Sequence, residues 1–167
     1  MSTRRLPVYI LADTSGSMQG TPIESVKAGI GQLHRDLMSD PQAIESAYLS
    51  IITFSDTAQQ LVPLTEVSAF SPPDLYARGQ TNFGDALRML IDCFDTEIVR
   101  TTPEQKGDWR PLVFILSDGA PTDASWQQYA QTLAERRPAN IIAVACGDQA
   151  DVEVLKQVTE IVIQMQD

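Results

Sequence analysis

Two apolar runs in this sequence stop at an acid-bearing turn, and that repetition narrows the folds open to it. Residues 6–12 (Leu-Pro-Val-Tyr-Ile-Leu-Ala) run into Asp13-Thr14-Ser15-Gly16-Ser17. Residues 111–116 (Pro-Leu-Val-Phe-Ile-Leu) run into Ser117-Asp118-Gly119-Ala120-Pro121-Thr122-Asp123. A short, near-continuous apolar stretch bounded by turn residues reads as a strand covered on both faces. A helical apolar period follows each loop. In open α/β sheets, loops of this kind face the crevice beyond the carboxyl ends of the strands, where ligands bind.

The rest of the chain fits that scheme. After the first loop, Thr21 is expected to cap a helix, with Pro22 at its first position and Glu24 completing a capping box. Ile23, Val26, Ile30, Leu33 and Leu37 then recur at helical spacing, giving a helix expected to end near Pro41. Residues 47–54 form a strand, 55–57 a polar break, and 58–64 an antiparallel strand that Pro63 confines to an edge. Within 65–80 there is room for one short helix around Asp74–Tyr76. Asn82 is a fair N-cap for a helix carrying Phe83, Leu87, Leu90, Ile91, Phe94 and Ile98 on one face. A polar loop spans 100–110. Beyond the strand at 111–116, Trp126, Tyr129, Ala130 and Leu133 mark a helix, 141–146 a strand, 151–158 a helix and 161–163 a last short strand. The expectation is one α/β domain over residues 1–167: a doubly wound, mostly parallel six-stranded sheet with one antiparallel edge strand and helices on both faces.

Charge and composition remove several functions. Twelve lysines and arginines stand against 22 acids, a net charge of −10. Nucleic-acid binding calls for a basic stripe, and Arg4-Arg5 is too short to be one. Such an acidic chain suits cations and cationic surfaces. No apolar stretch approaches the ~18 residues of a membrane span, and no leader-like segment precedes the first strand, so a cytoplasmic protein is expected. Cys93 and Cys146 fall inside apolar patterns, without the close spacing of a metal or redox pair.

The strand-to-helix loops share one edge of the sheet, which brings Asp13, Ser15, Ser17, Asp118 and Asp123 together by topology. Thr81 joins them if residues 65–80 climb back to that edge, a span they cover easily at ~3.3 Å per extended residue. Carboxylates and hydroxyls without histidine or thiolate suit a hard cation, Mg2+ with Mn2+ as a substitute. Taken singly, these residues are also ordinary turn formers. Asp123 reads better as the N-cap of the Trp126 helix than as a ligand. Asp56, Asp148 and Asp151 read as loop acids or caps.

With these motifs in order, the chain resembles the von Willebrand factor A (integrin I-like) domain family over nearly its whole length. Asp13-x-Ser15-x-Ser17, Thr81 and Asp118 look like that family's metal-ion-dependent adhesion site. The resemblance implies a magnesium held by these five residues and an open coordination position filled by a carboxylate of a partner protein. Lys106-Gly107-Asp108-Trp109-Arg110-Pro111 and the Ser117 to Asp123 loop look like the bacterial tellurite-resistance TerY-type branch. That likeness implies a stress-response system with a kinase-like or phosphatase-like partner.

No catalytic residue is expected. A nucleophilic serine needs a base, and the single histidine, His34, is placed deep in the first helix. No phosphate-binding glycine loop occurs. A metal-assisted phosphohydrolase and a structural subunit with an unused site remain the alternatives. Trp109, in a loop at the opposite pole, is expected to plug the core beneath the sheet, with an exposed anchor as the other reading.

Overall fold

The computed structural model describes residues 4–119, 121–147 and 150–164. In chain order the elements are β1 (Leu6–Asp13), α1 (Thr21–Met38), α2 (Pro41–Ser46), β2 (Ala47–Phe54), β3 (Ala58–Glu66), α3 (Phe83–Glu97), β4 (Leu112–Ser117), α4 (Trp126–Arg136), β5 (Asn140–Ala145), α5 (Val152–Lys156) and β6 (Ile161–Gln164). Single 3-10 turns occupy Gly16–Met18 and Val67–Ala69. The strands form one six-stranded sheet in the order β3-β2-β1-β4-β5-β6. Only β2 and β3 pair antiparallel, and β3, which carries Pro63, is an edge.

The apolar strands sit in the middle because their residues are buried on both sides. Along β1 every residue from Pro7 to Asp13 is buried. Tyr9 and Leu11 face a core with Phe83, Leu87, Leu90 and Phe94 of α3 and Leu133 of α4. Val8, Ile10 and Ala12 face a second core with Ile23, Val26 and Ile30 of α1. Fully burying such a side chain contributes roughly 1.5–3 kcal/mol, so these two layers fix β1 at the centre. Cover is less complete beyond it: Leu112 and Phe114 of β4 are half-buried, and Ile161 and Ile163 of β6 are exposed.

Three local expectations fail, and one helix was not foreseen. Thr21 is the first residue of α1, not its cap; the N-cap is Gly20 at φ 85°, a conformation that suits glycine, so no capping box forms and Pro22 falls one place further in. The short helix expected near Asp74–Tyr76 is absent, and the helical turn there lies at Val67–Ala69; Leu75, buried, anchors the irregular stretch instead. The first helix, expected to end near Pro41, ends at Met38, and a separate α2 that was not expected follows, capped by Asp40 through Gln42 N. Trp109 does not plug the core: it is 51% exposed, and the Arg4 guanidinium lies 3.8 Å over its ring. Among the described residues, no helix is long and apolar enough to cross a membrane.

Candidate functional site

Three loops meet at the carboxyl edge of the sheet. The first leaves β1, whose last residue, Asp13, is fully buried. Asp13 Oδ1 accepts hydrogen bonds from Ser15 N (2.9 Å) and Ser15 Oγ (2.6 Å). Its Oδ2 accepts one from Ser117 Oγ (2.7 Å), at the end of β4. Ser17 Oγ stands exposed, 3.1 Å from Ser15 Oγ. Burial pushes the Asp13 carboxyl up to about 6; the Ser15 and Ser117 bonds pull it down, and the charge of Asp118 raises it again. Among the described residues, no lysine or arginine pairs with Asp13.

The second loop, after β4, carries Asp118, 8% exposed. Its backbone carbonyl accepts from Asp151 N (2.7 Å), which ties the loop to the start of α5. The third loop precedes α3 and lies along the first. Arg78 N donates to Thr14 O (2.8 Å), and Gly16 N donates to Gly79 O (2.9 Å). Thr81 is 3% exposed and clamped to the second loop: its N donates to Thr122 Oγ1 (2.9 Å), and its carbonyl accepts from Thr122 N (2.8 Å). All five expected residues therefore stand on one edge, in three loops joined by backbone bonds.

The other acids are occupied differently. Asp123 is not the N-cap residue of α4, a place taken by Ser125. Its Oδ2 nevertheless accepts from Trp126 N (3.0 Å), Ser125 Oγ (2.8 Å) and Gly84 N (3.1 Å), and its Oδ1 from Phe83 N (2.9 Å). One carboxylate thus closes the amino ends of α3 and α4, where a negative charge is favoured. Gly84 permits the approach, because a Cβ built there would overlap Asp123 Oδ2 and Ser125 Oγ. Asp56 Oδ1 accepts from Gln80 N, and Asp151 caps α5. Asp148 lies outside the described residues. His34 Nε2 sits 3.0 Å from Val67 O and against Phe70, away from this edge.

Sequence reasoning missed Ser117 and Thr122, and half of the role of Asp123. The signal for Ser117 was faint: Ala12 lies opposite Leu116, so Asp13 and Ser117 come side by side only once the strand register is known. Among the described residues, no group of three or more histidine, cysteine, aspartate or glutamate side chains is placed to hold a metal. A cation here would depend on hydroxyls as well as carboxylates. The donor chemistry fits one: a buried, unpaired carboxylate beside a second carboxylate, with three hydroxyl residues in the same loops.

The family described as von Willebrand factor type A domain matches residues 8–162. The chain belongs to that family. No curated protein matches it. Among solved structures it is similar to BatB, a conserved hypothetical protein from Bacteroides thetaiotaomicron, at 15% identity and a TM-score of 0.65, covering 97% of this chain and 91% of that one. The manganese-loaded TRAP protein of Plasmodium vivax is similar at 16% identity and a TM-score of 0.63, over 99% and 70% of the two chains. The pilus adhesin SpaC of Lactobacillus rhamnosus GG gives 13% and 0.74, over 100% of this von Willebrand factor type A chain but 28% of the adhesin. At such identities the likeness establishes the shared fold.

Proposed function

We propose that this von Willebrand factor type A domain is a magnesium-dependent, non-catalytic protein-binding module. Asp13, Ser15, Ser17, Thr81 and Asp118 would hold Mg2+, or Mn2+ in its place. The bound ion would supply a Lewis-acidic position for a carboxylate of a partner protein. The observation that carries this reading is Asp13, a fully buried carboxylate that meets hydroxyls, an amide and the charge of Asp118 but, among the described residues, no cationic side chain. Burying a charge in that way is costly unless something compensates it. A hydroxyl both donates and accepts, so Ser15 Oγ, which now donates to Asp13, can rotate to present a lone pair. The manganese-loaded relative supports the choice of ion, and the pilus adhesin supports a binding role.

The wording of the 106–111 and 117–123 loops supports a place in a cytoplasmic, TerY-type tellurite-resistance system, with a kinase-like or phosphatase-like protein as partner. The position of His34 leaves Ser15 and Ser17 without a histidine base, which favours binding over catalysis.

Thermal melting in Mg2+ and in EDTA tests the ion. A ligand at 100 times its Kd stabilises by ~2.7 kcal/mol, which for a chain of this size raises Tm by roughly 5–11 °C. Thr81→Ala, which deletes one ligand without changing charge, should remove most of that rise. Equal melting of the wild type in Mg2+, Mn2+ and EDTA would refute the metal. Titration of the kinase-like protein should weaken at least ~10-fold in EDTA, since ion and carboxylate share one coordination sphere. Hydrolysis of p-nitrophenyl phosphate abolished by Asp13→Ala would move the assignment to a phosphohydrolase.

A further inference from the structure

The opposite pole carries chemistry of its own. Strands β1, β4 and β5 begin there and helices α3 and α4 end there. Arginines stand there beside acids: Arg4 and Arg5 precede β1, Arg100 and Arg110 lie between α3 and β4, and Arg136 and Arg137 end α4, with Asp95, Glu97, Glu104, Asp108 and Glu135 in the same segments. Among them lies a cavity of about 400 Å3. Its floor is apolar, formed by Phe94, Ile98, Pro111 and Pro138, and its rim carries Arg100, Arg136 and Asp95.

The rim is rich in donors. Arg136 Nη2 lies 3.0 Å from Asp95 Oδ1, and Arg100 Nη2 lies 3.8 Å from the same oxygen. The Arg100 side chain is 73% exposed. Asp108, another acid at this pole, is taken by Arg5 through a two-pronged pair. Two guanidinium groups therefore share one carboxylate at the mouth of an apolar hollow.

A second cavity, about 260 Å3, opens beside Arg110 and Arg137. Arg110 Nη2 donates to the Arg137 carbonyl, so the two arginines at this cavity are tied to each other. Arg137 is the one non-glycine residue with positive φ among the described residues, at 45°, in the place after α4 where glycine would be unstrained. Nearby, Trp109 lies half-exposed under the Arg4 guanidinium. Arginines near helix carboxyl ends complement the helix dipole, which accounts for charge near a last turn. It does not account for an apolar hollow between two guanidinium groups, nor for an arginine held in the left-handed region.

We propose that this pole is a second protein-binding surface, which takes an acidic peptide segment. An apolar side chain of that segment enters the 400 Å3 cavity while its flanking carboxylates pair with Arg100 and Arg136. Planar, forked guanidinium groups suit carboxylates, and arginine and tryptophan are the residue types that dominate protein contacts. The surface needs no metal, and it stands whether or not the other edge binds one.

The test is fluorescence anisotropy with a labelled peptide of alternating Asp-Phe-Glu triplets, its Asn-Phe-Gln counterpart, and a thymidine oligonucleotide, each measured in Mg2+ and in EDTA. The acidic peptide should bind equally in both buffers and more weakly as salt rises. The Arg100→Gln/Arg136→Gln double variant should lose at least ~10-fold in affinity. Asp95→Asn, which frees both guanidinium groups, should bind more tightly. Arg137→Gly should bind more weakly while melting no lower than wild type, an outcome a merely structural arginine would not give. Thr81→Ala should bind as wild type does, which separates this surface from the metal edge. The proposal falls if the amide peptide binds as well as the acidic one, if the double variant binds unchanged, if the oligonucleotide binds more tightly, or if no acidic peptide binds at about 1 mM.

Discussion

Removing Asp123 should loosen two helices at once. Four donors converge on its carboxylate: the amides of Phe83 and Gly84 at the start of α3, the amide of Trp126 at the start of α4, and Ser125 Oγ. Loss of one capping side chain costs ~1 kcal/mol, within a range of about 0.5–2. With two helix ends affected and Asp123 half-buried, Asp123→Ala should cost about 2–3 kcal/mol. At roughly 2–4 °C per kcal/mol for a chain of this size, Tm should fall by about 4–12 °C. Asp123→Asn is the sharper test. Oδ2 alone takes three of the four donors, and an amide offers one acceptor oxygen in place of two. Whichever way it turns, part of the set faces an NH2 group, so this variant should lose about 1–2 kcal/mol. Urea unfolding with an unchanged m-value gives these differences directly. If both variants unfold within ~0.5 kcal/mol of wild type, the carboxylate is a solvated loop acid and this account of it is wrong.

Two further outcomes follow from burial. Trp109→Ala should leave the protein folded with Tm lowered by no more than about 4 °C, because a half-exposed ring stacked under Arg4 is worth on the order of 1 kcal/mol; a loss of about 3–5 kcal/mol, as for an aromatic removed from a core, would contradict its exposed placement. Burial pushes the Cys93 and Cys146 thiols up to about 12, so at pH 8 only about 1 in 10,000 is thiolate. Native protein should therefore release almost no colour from Ellman's reagent while urea-unfolded protein titrates both cysteines, and rapid reaction in the native state would count against the burial.

How far the sequence could be read depended on the range of the interaction concerned. The bounds of β2 at 47–54 are legible because its apolar run starts after the polar residues Glu45 and Ser46 and stops at the polar break Ser55-Asp56-Thr57. Asn82 is legible as a cap because its bond runs three residues along the chain, to Asp85 N. Thr21 misleads because Thr-x-x-Glu is also satisfied by a helix that starts one residue earlier, and only the positive φ of Gly20 decides between them. Asp40-Pro41 carried a helix signal of its own, obscured by the strand pattern that begins at Ala47. For the candidate site, all five residues were legible as an edge cluster, since strand order and loop direction place them there. The partnership of Asp13 with Ser117 was not, because it depends on register between strands more than 100 residues apart. Trp109 misled for a related reason: its support is Arg4 and Arg5, brought beside it only when β1 and β4 pair through Tyr9 and Val113.

The contrast between Asp13 and Asp123 gives the physical basis for treating the first as a ligand and the second as a fastener. Both lie near the carboxyl edge, and both accept several hydrogen bonds. The donors on Asp123 are mostly backbone amides of helix ends, which cannot rotate away and have no other partner in the helix. Releasing them would leave amides at the starts of α3 and α4 without a partner, so Asp123 is not available to a cation. Two of the three donors on Asp13 are the hydroxyls of Ser15 and Ser117, which can turn without disturbing the strands that carry them. Asp13 is also the more deeply buried of the two, so its charge is the one the surrounding protein solvates least. A cation arriving at this edge would relieve the less compensated charge and disturb the more movable bonds. Those two conditions select Asp13 over Asp123, and they do so through what each carboxylate touches, although both occupy acid-bearing loops of similar sequence.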